Sequence, residues 1–194
     1  MLKVGITGGI GSGKTTVCRI FETLDIPVFH ADEESKRVLA SDKKVIATIK
    51  KYFGKNIYTG SSLNRKKLAA IVFNDPEKLS VLNSITHPAV FRAFDEWVKM
   101  QKRAPYVIKE AAIIFEAGAE KQLDYVIAVT APAKTRLERI VKRDRVTVDE
   151  VKSRVKNQWS QEKIISKADF VIKNSGNEFL IPQVLKIHRK LLGS

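Results

Sequence analysis

Gly8-Gly9-Ile10-Gly11-Ser12-Gly13-Lys14-Thr15 matches the spacing G-x-x-x-x-G-K-[ST] at every fixed position. Such a run is suited to holding a polyphosphate. Closely spaced glycines let the backbone curl until successive N–H groups face one point. A helix opening near Lys14 adds the positive end of its dipole. The Lys14 ammonium then suits the β- and γ-phosphates, and the Thr15 hydroxyl suits a Mg²⁺ ion. The run follows an apolar stretch, Leu2 to Thr7, and precedes a helical pattern, the context this motif requires. Binding of ATP or GTP follows.

Two more groups could do chemistry beside a bound polyphosphate. Asp32 follows a second short apolar run, Pro27 to His30, so it falls at the carboxyl edge of a sheet, where ligands bind in such folds. A carboxylate there can accept the proton of an attacking hydroxyl. It can equally cap a helix that starts at Glu33. Arg136, Arg139 and Arg143 are spaced i, i+3, i+7 and put three guanidiniums on one helical face, with Lys142, Arg145 and Arg154 adding charge nearby. Arginines so placed exclude water and stabilise charge on a transferring phosphoryl group.

The elements that must position these groups alternate. Short β-rich runs occur at Leu2 to Thr7, Pro27 to His30, Tyr106 to Glu110, Tyr125 to Thr130 and Asp169 to Lys173. Most are nearly continuous apolar stretches, as parallel strands covered on both faces require. Amphipathic helices lie between them. Val17, Ile20, Phe21 and Leu24 keep helical spacing, as do Leu137, Ile140 and Val141 within the segment from Pro132 to Arg143. Asp75-Pro76 reads as an N-cap followed by proline at the first helical position. Thr147 with Glu150 forms a capping box. Pro182 places the start of the last helix near itself rather than at Asn177. The alternation implies an α/β domain with a five-stranded, largely parallel sheet. A long, purely helical insertion, roughly Asp32 to Arg103, separates the second and third strands and is expected to form a substrate-side subdomain.

Composition narrows the classes. The chain has 194 residues, 44% of them hydrophobic, enough for one compact domain with a core. Its start carries no secretory pattern, and its apolar runs fall short of the ~20 residues a membrane span needs. The single cysteine, Cys18, excludes an internal disulfide, fits a reducing cytoplasm and is assigned to packing, as are Trp97 and Trp159. A net charge of +14 favours anionic partners. A GTPase would carry an Asn-Lys-x-Asp guanine motif, which is absent, and a helicase-like motor needs a longer chain. A nucleic-acid-binding ATPase is disfavoured because the basic residues are spread over several helices. A small-molecule kinase remains.

The chain resembles the dephospho-coenzyme A kinase family over nearly its whole length. The resemblance is carried, in order, by Gly5 to Thr15, Ala31-Asp32, Leu63-Asn64-Arg65, Ile85-Thr86-His87-Pro88, Phe115-Glu116-Ala117-Gly118, Lys142-Arg143-Asp144 and Asn174-Ser175-Gly176. It implies transfer of the γ-phosphoryl of ATP, with Mg²⁺, to the ribose 3′-hydroxyl of dephospho-coenzyme A. It also implies the P-loop kinase fold: a core of residues 1–31, 104–131 and 168–194, a helical substrate subdomain of 32–103 and a lid of 132–167. In this reading Asp32 is the base, and Lys14, Arg139 and Arg143 assist transfer. Gly9, Gly11, Ser12, Gly13, Lys14, Thr15, Thr16 and Asn174 bind ATP, Asn174 near the adenine. Thr7, Asp32, Arg65, His87, Phe115 and Glu116 face the acceptor. The metal falls to Thr15 and, through a water, to Glu110. Asn64 stands where the family commonly has aspartate, and Lys109-Glu110-Ala111-Ala112 where many members have Leu-Asp-x-Pro. His87 before Pro88 reads as a residue at a helix junction in preference to a catalyst. The expected protein is cytoplasmic, a monomer or small homo-oligomer, with neither nucleic-acid nor membrane partners.

Overall fold

The computed structural model describes residues 1–60, 62–72, 75–144, 147 and 158–193. Two compact units divide it: Met1–His30 with Met100–Ser194, and Ala31–Lys99.

The first unit is built on a parallel sheet. Its strands are β1 (Leu2–Thr7), β2 (Val28–His30), β5 (Tyr106–Glu110), β6 (Tyr125–Thr130) and β7 (Phe170–Lys173), in the order β2-β5-β1-β6-β7. Every pairing is parallel, with Ile6 beside Glu110 and Ile127, and His30 beside Glu110. β5 and β6 are buried along almost their whole length, which is why their sequences are apolar runs without alternation. The chain leaves β1 for β2 on one side of the sheet, while β6 and β7 extend the other side. The turn after β1 therefore opens at the switch point where such sheets bind ligands.

Helix α1 (Lys14–Glu22) covers one face with Val17, Cys18 and Phe21, all fully buried. The C-terminal helix (Leu180–Leu192) packs beside it through Val184, Ile187 and Leu191. Burying a side chain such as Phe21 contributes about 1.5–3 kcal/mol, so this seam holds the turn after β1 firmly to the sheet. Pro182 is the third residue of that last helix, where its missing N–H has no intrahelical acceptor to lose. Helix α6 (Ala133–Asp144) follows β6, and a short α7 (Gln161–Ile165) opens at Ser160, whose hydroxyl accepts from the Lys163 N–H at 3.3 Å. The last helix is accordingly α8. The capping box at Thr147 depends on Glu150, which lies outside the described residues, as do Arg145 and Arg154.

The second unit holds α2 (Ala31–Ser41), α3 (Lys43–Phe53), α4 (Arg65–Val72) and α5 (Pro76–Met100, whose last residue belongs to the first unit). It is not purely helical. Tyr58–Thr59 (β3) and Ser62–Leu63 (β4) pair antiparallel as a small hairpin, too short for period-two alternation to betray it. Asp75 caps α5 as expected, its Oδ1 accepting from the Lys78 N–H at 3.0 Å. That helix then runs straight through Pro88, so His87 lies mid-helix, stacked on Phe91 at 6.2 Å, and not at a junction. Burial along the helix, at Thr86, Ala89, Val90 and Phe94, outweighs the backbone bond that Pro88 removes. Among the described residues no helix is long and apolar enough to cross a membrane.

Candidate active site

The turn between β1 and α1 is held by a few strong constraints. The Ser12 N–H donates to the Gly9 carbonyl at 3.0 Å, and Lys14 Nζ donates to the Gly8 carbonyl at 2.9 Å, closing the loop on itself. Gly13 caps α1 in the left-handed region at φ 97° with no side-chain bond, so the positive helix end is left open. Gly11, at φ 81°, lies under α6. A Cβ there would come within 2.7 Å of the Arg136 carbonyl oxygen and 3.0 Å of Ile140 Cγ1. Glycine at this position therefore admits the helix above as well as the curl of the loop.

Orphaned polar atoms mark what the loop is for. Six buried side-chain atoms among the described residues have no hydrogen-bond partner, and four of them are Thr7 Oγ1, Ser12 Oγ, Arg136 Nε and Arg139 Nη1. Each such group costs roughly 1–3 kcal/mol while unpaired. Their concentration at the end of β1, in the loop and on the helix above it makes a donor-rich, cationic hollow that an anion with many oxygens would satisfy. ATP phosphates have that chemistry.

Two of the three face-sharing arginines are tied to the loop. Arg139 Nη2 donates to both the main-chain oxygen and Oδ1 of Asn174 at 3.3 Å, while Asn174 Nδ2 donates to the Ser12 carbonyl at 2.8 Å. The Arg136 guanidinium fills the space over Gly9. Arg143, two turns and about 10 Å farther along the axis, is instead 62% exposed and paired with Asp144 at 2.7 Å. That hydrogen bond holds its guanidinium pKa above the ordinary value. Arg136, on the predicted face but outside the residues the resemblance selected, is thus more intimate with the loop than Arg143.

Glu110 closes β5 and is only 8% exposed. Its Oε2 lies 3.3 Å from His30 Nδ1, whose other ring nitrogen faces Glu22 Oε1 at 3.6 Å. Thr15 and Thr16, on the first turn of α1, are exposed. Among the described residues no three His, Cys, Asp or Glu side chains gather as a metal-binding group.

After β5 the chain passes Phe115 and Glu116. Phe115 is 8% exposed and stacks on Trp159 with centroids 5.9 Å apart and planes within 8°. Glu116 Oε1 accepts from the Trp159 N–H at 2.8 Å, while its Oε2 is one of the orphaned atoms. Trp159 also carries Lys163 Nζ 3.5 Å above its ring. Gln158, its neighbour, accepts from the Ile10 N–H through Oε1 at 3.0 Å. No motif marks Gln158 in the sequence, and its contact spans 148 positions.

The remaining selected residues belong to the second unit. Asp32 is the second residue of α2, in its first turn with Glu33 and Glu34, so it is not the cap of a helix beginning at Glu33. β2 runs into α2 without a break, which moves the helix start two residues earlier. Arg65 is exposed at the first position of α4. Asn64 precedes it and caps the helix, Oδ1 accepting from the Lys67 N–H at 3.0 Å. Asparagine and aspartate cap equally well, so this departure from the family pattern leaves the helix start intact.

Comparison with known proteins decides the family. The model of the dephospho-CoA kinase family matches residues 2–179. The chain belongs to the dephospho-CoA kinase family. A dephospho-CoA kinase of Chlorobaculum tepidum is 43% identical, the match covering 98% of this chain and 95% of the relative. One from Bacteroides fragilis is 37% identical over 96% and 91%. Among solved structures, TT1252 from Thermus thermophilus superposes with a TM-score of 0.87 at 33% identity, covering 98% of this chain and 97% of that one. A dephospho-CoA kinase from Campylobacter jejuni gives 0.69 at 27% identity, with the same coverage. The family is one of phosphotransferases with an alcohol acceptor.

Proposed function

We propose that the chain transfers the γ-phosphoryl of ATP to the ribose 3′-hydroxyl of dephospho-coenzyme A, giving coenzyme A and ADP, with Asp32 as the base and the loop from Gly8 to Thr15 as the phosphate site. The observation that carries the donor side is the cluster of orphaned atoms, Thr7 Oγ1, Ser12 Oγ, Arg136 Nε and Arg139 Nη1, around a glycine loop that opens a helix. Family membership supplies the acceptor and the last step of coenzyme A biosynthesis.

The chemistry distributes over named groups. The 3′-oxygen attacks the γ-phosphorus, its proton passes to the Asp32 carboxylate, and the bond to the ADP oxygen breaks. Backbone N–H groups of Gly9, Gly11 and Gly13, the hydroxyls of Ser12 and Thr16, and the open end of α1 hold the phosphates. Lys14, Arg136 and Arg139 oppose the charge that spreads over the transferring oxygens, and Arg143 adds a more distant cation on the same helix face. The Thr15 hydroxyl and, through water, Glu110 would hold Mg²⁺, which when bound would offset the charge of the phosphates. Asn174 acts from the loop's flank, and Arg65, His87, Phe115, Glu116 and Thr7 orient the acceptor. The second unit serves as the substrate subdomain and 132–167 as the lid, described here through α6 and residues 158–167. A reducing cytoplasm suits the lone buried thiol.

The test is direct. Pure protein incubated with ATP, Mg²⁺ and dephospho-coenzyme A should form 3′-phosphorylated product, read by mass spectrometry. Equal turnover with adenosine or a nucleoside monophosphate as acceptor would overturn the assignment.

A further inference from the structure

The junction of Gln158 and Trp159 touches two parts of the site at once. Gln158 Oε1 holds the Ile10 N–H at the tip of the phosphate loop, 3.0 Å away. The next residue, Trp159, gives its N–H to Glu116 Oε1 at 2.8 Å and lays its ring flat on Phe115. Lys163, from the following helix, sits 3.5 Å over that ring. Trp159 thus contacts both an aromatic ring and a cation, with its main chain tied as well. An indole so restrained has little freedom, and neither has the amide one residue before it.

We propose that Gln158 and Trp159 are positioning residues, a clasp in which adjacent residues of one segment fix the phosphate loop and the Phe115–Glu116 loop relative to each other. The proposal rests on the reading of Phe115 and Glu116 as acceptor-side residues. Gln158 fixes where the amides of Gly9 to Gly11 point, because the Ile10 peptide cannot rotate while its N–H is held. Trp159 fixes Phe115 by stacking and Glu116 by its main-chain bond, leaving Glu116 Oε2 unpaired and available to a ligand donor. The two halves of the clasp act on different substrates, which a purely structural role would not do.

Four variants of the enzyme separate the outcomes. Gln158→Ala removes one neutral hydrogen bond and should weaken binding of a non-hydrolysable ATP analogue about 2- to 13-fold by calorimetry, with the KM for dephospho-coenzyme A within twofold of wild type. Trp159→Ala should raise that KM while analogue affinity holds, and Trp159→Phe, which keeps a ring on Phe115, should restore it. Phe115→Ala controls for the acceptor reading. If Phe115→Ala raises the acceptor KM but Trp159→Ala does not, the clasp is refuted and the acceptor reading stands. If neither changes it, the acceptor reading of that loop has failed, and the clasp with it. If Gln158→Ala and Trp159→Ala lower both affinities in parallel with melting temperature, the pair is merely part of the packing and the proposal is overturned.

Discussion

Asn174 offers the sharpest test of how the phosphate loop is held. The resemblance puts it near the adenine, whereas its side chain is spent inside the protein: Nδ2 on the Ser12 carbonyl at 2.8 Å, Oδ1 on Arg139 Nη2 at 3.3 Å. Asn174→Ala deletes both. The bond to Ser12 is neutral and worth about 0.5–1.5 kcal/mol net. The bond from Arg139 is charge-assisted, but at 3.3 Å and duplicated by the Asn174 main-chain oxygen, which alanine keeps, it adds about 1 kcal/mol or less. The sum, about 0.5–2.5 kcal/mol, corresponds to a loss of about 2- to 70-fold in kcat/KM for ATP. The side chain also occupies the space where a Cβ on Gly13 would stand, so its loss frees the first turn of α1 to shift.

The assay that discriminates is not turnover alone but base preference. ADP and GDP share their phosphates and differ in the base. If Asn174 acts through Ser12 and Arg139, Asn174→Ala weakens both nucleotides by the same factor, and the ratio of their dissociation constants, read by calorimetry, stays within twofold of wild type. If Asn174 reads adenine directly, the ratio moves toward one while GDP affinity is unchanged. The second pattern would refute the mechanical argument. Asn174→Asp adds a control: it keeps the acceptor for Arg139 but turns an oxygen toward the Ser12 carbonyl, so it should be no better than alanine.

Three other perturbations follow from the same geometry. Arg136→Ala should cost about 10²-fold or more in kcat, because its guanidinium lies over Gly9, while Arg143→Ala, whose partner is Asp144 and which is mostly exposed, should cost less than tenfold; steady-state kinetics showing the reverse order would mean that closure of α6 rearranges the face. Asp32→Asn should lower kcat by roughly 10²–10⁴-fold. The charge it removes from the first turn of α2 is worth about 0.3–1 kcal/mol to the helix, a drop of about 4 °C or less in melting temperature, so near-normal kcat in a stable variant would exclude Asp32 as the base. Cys18 should resist iodoacetamide at pH 8 in the native enzyme and react fully in denaturant, by mass spectrometry. Burial pushes its thiol pKa far up, with the nearby Glu110 and Glu22 carboxylates adding, so thiolate forms only once the chain unfolds.

Those residues also show which parts of the fold speak through the sequence. Local rules sufficed where one element decides. The strands at Leu2–Thr7, Tyr106–Glu110 and Tyr125–Thr130 coincide with their mainly apolar runs, because strands covered on both faces favour such composition. The Asp75 cap and the phosphate loop are likewise contiguous in the chain. Failures arose where tertiary burial outbid a local rule, as when α5 carried on through Pro88, or where an element was two residues long, as in the hairpin at Tyr58. In the site, legibility stopped at long-range contacts. Arg136, Arg139 and Arg143 are equivalent by periodicity, and only the packing of α6 over Gly11 separates them.

That packing ties the two kinds of information together. The loop glycines are commonly explained by the curl around phosphate, yet Gly11 and Gly13 are also pressed from outside, by the Arg136 main chain and by Asn174. A side chain at either position would push away the residues that bring cationic charge and loop support to the site. The glycine spacing therefore encodes two requirements at once: amides turned inward toward the anion, and a bare outer surface on which α6 and the end of β7 can close. The first was readable from the motif. The second explains why Arg139 and Asn174, 35 positions apart and unremarkable in composition, converge with Ser12 in one hydrogen-bonded chain that steadies the loop.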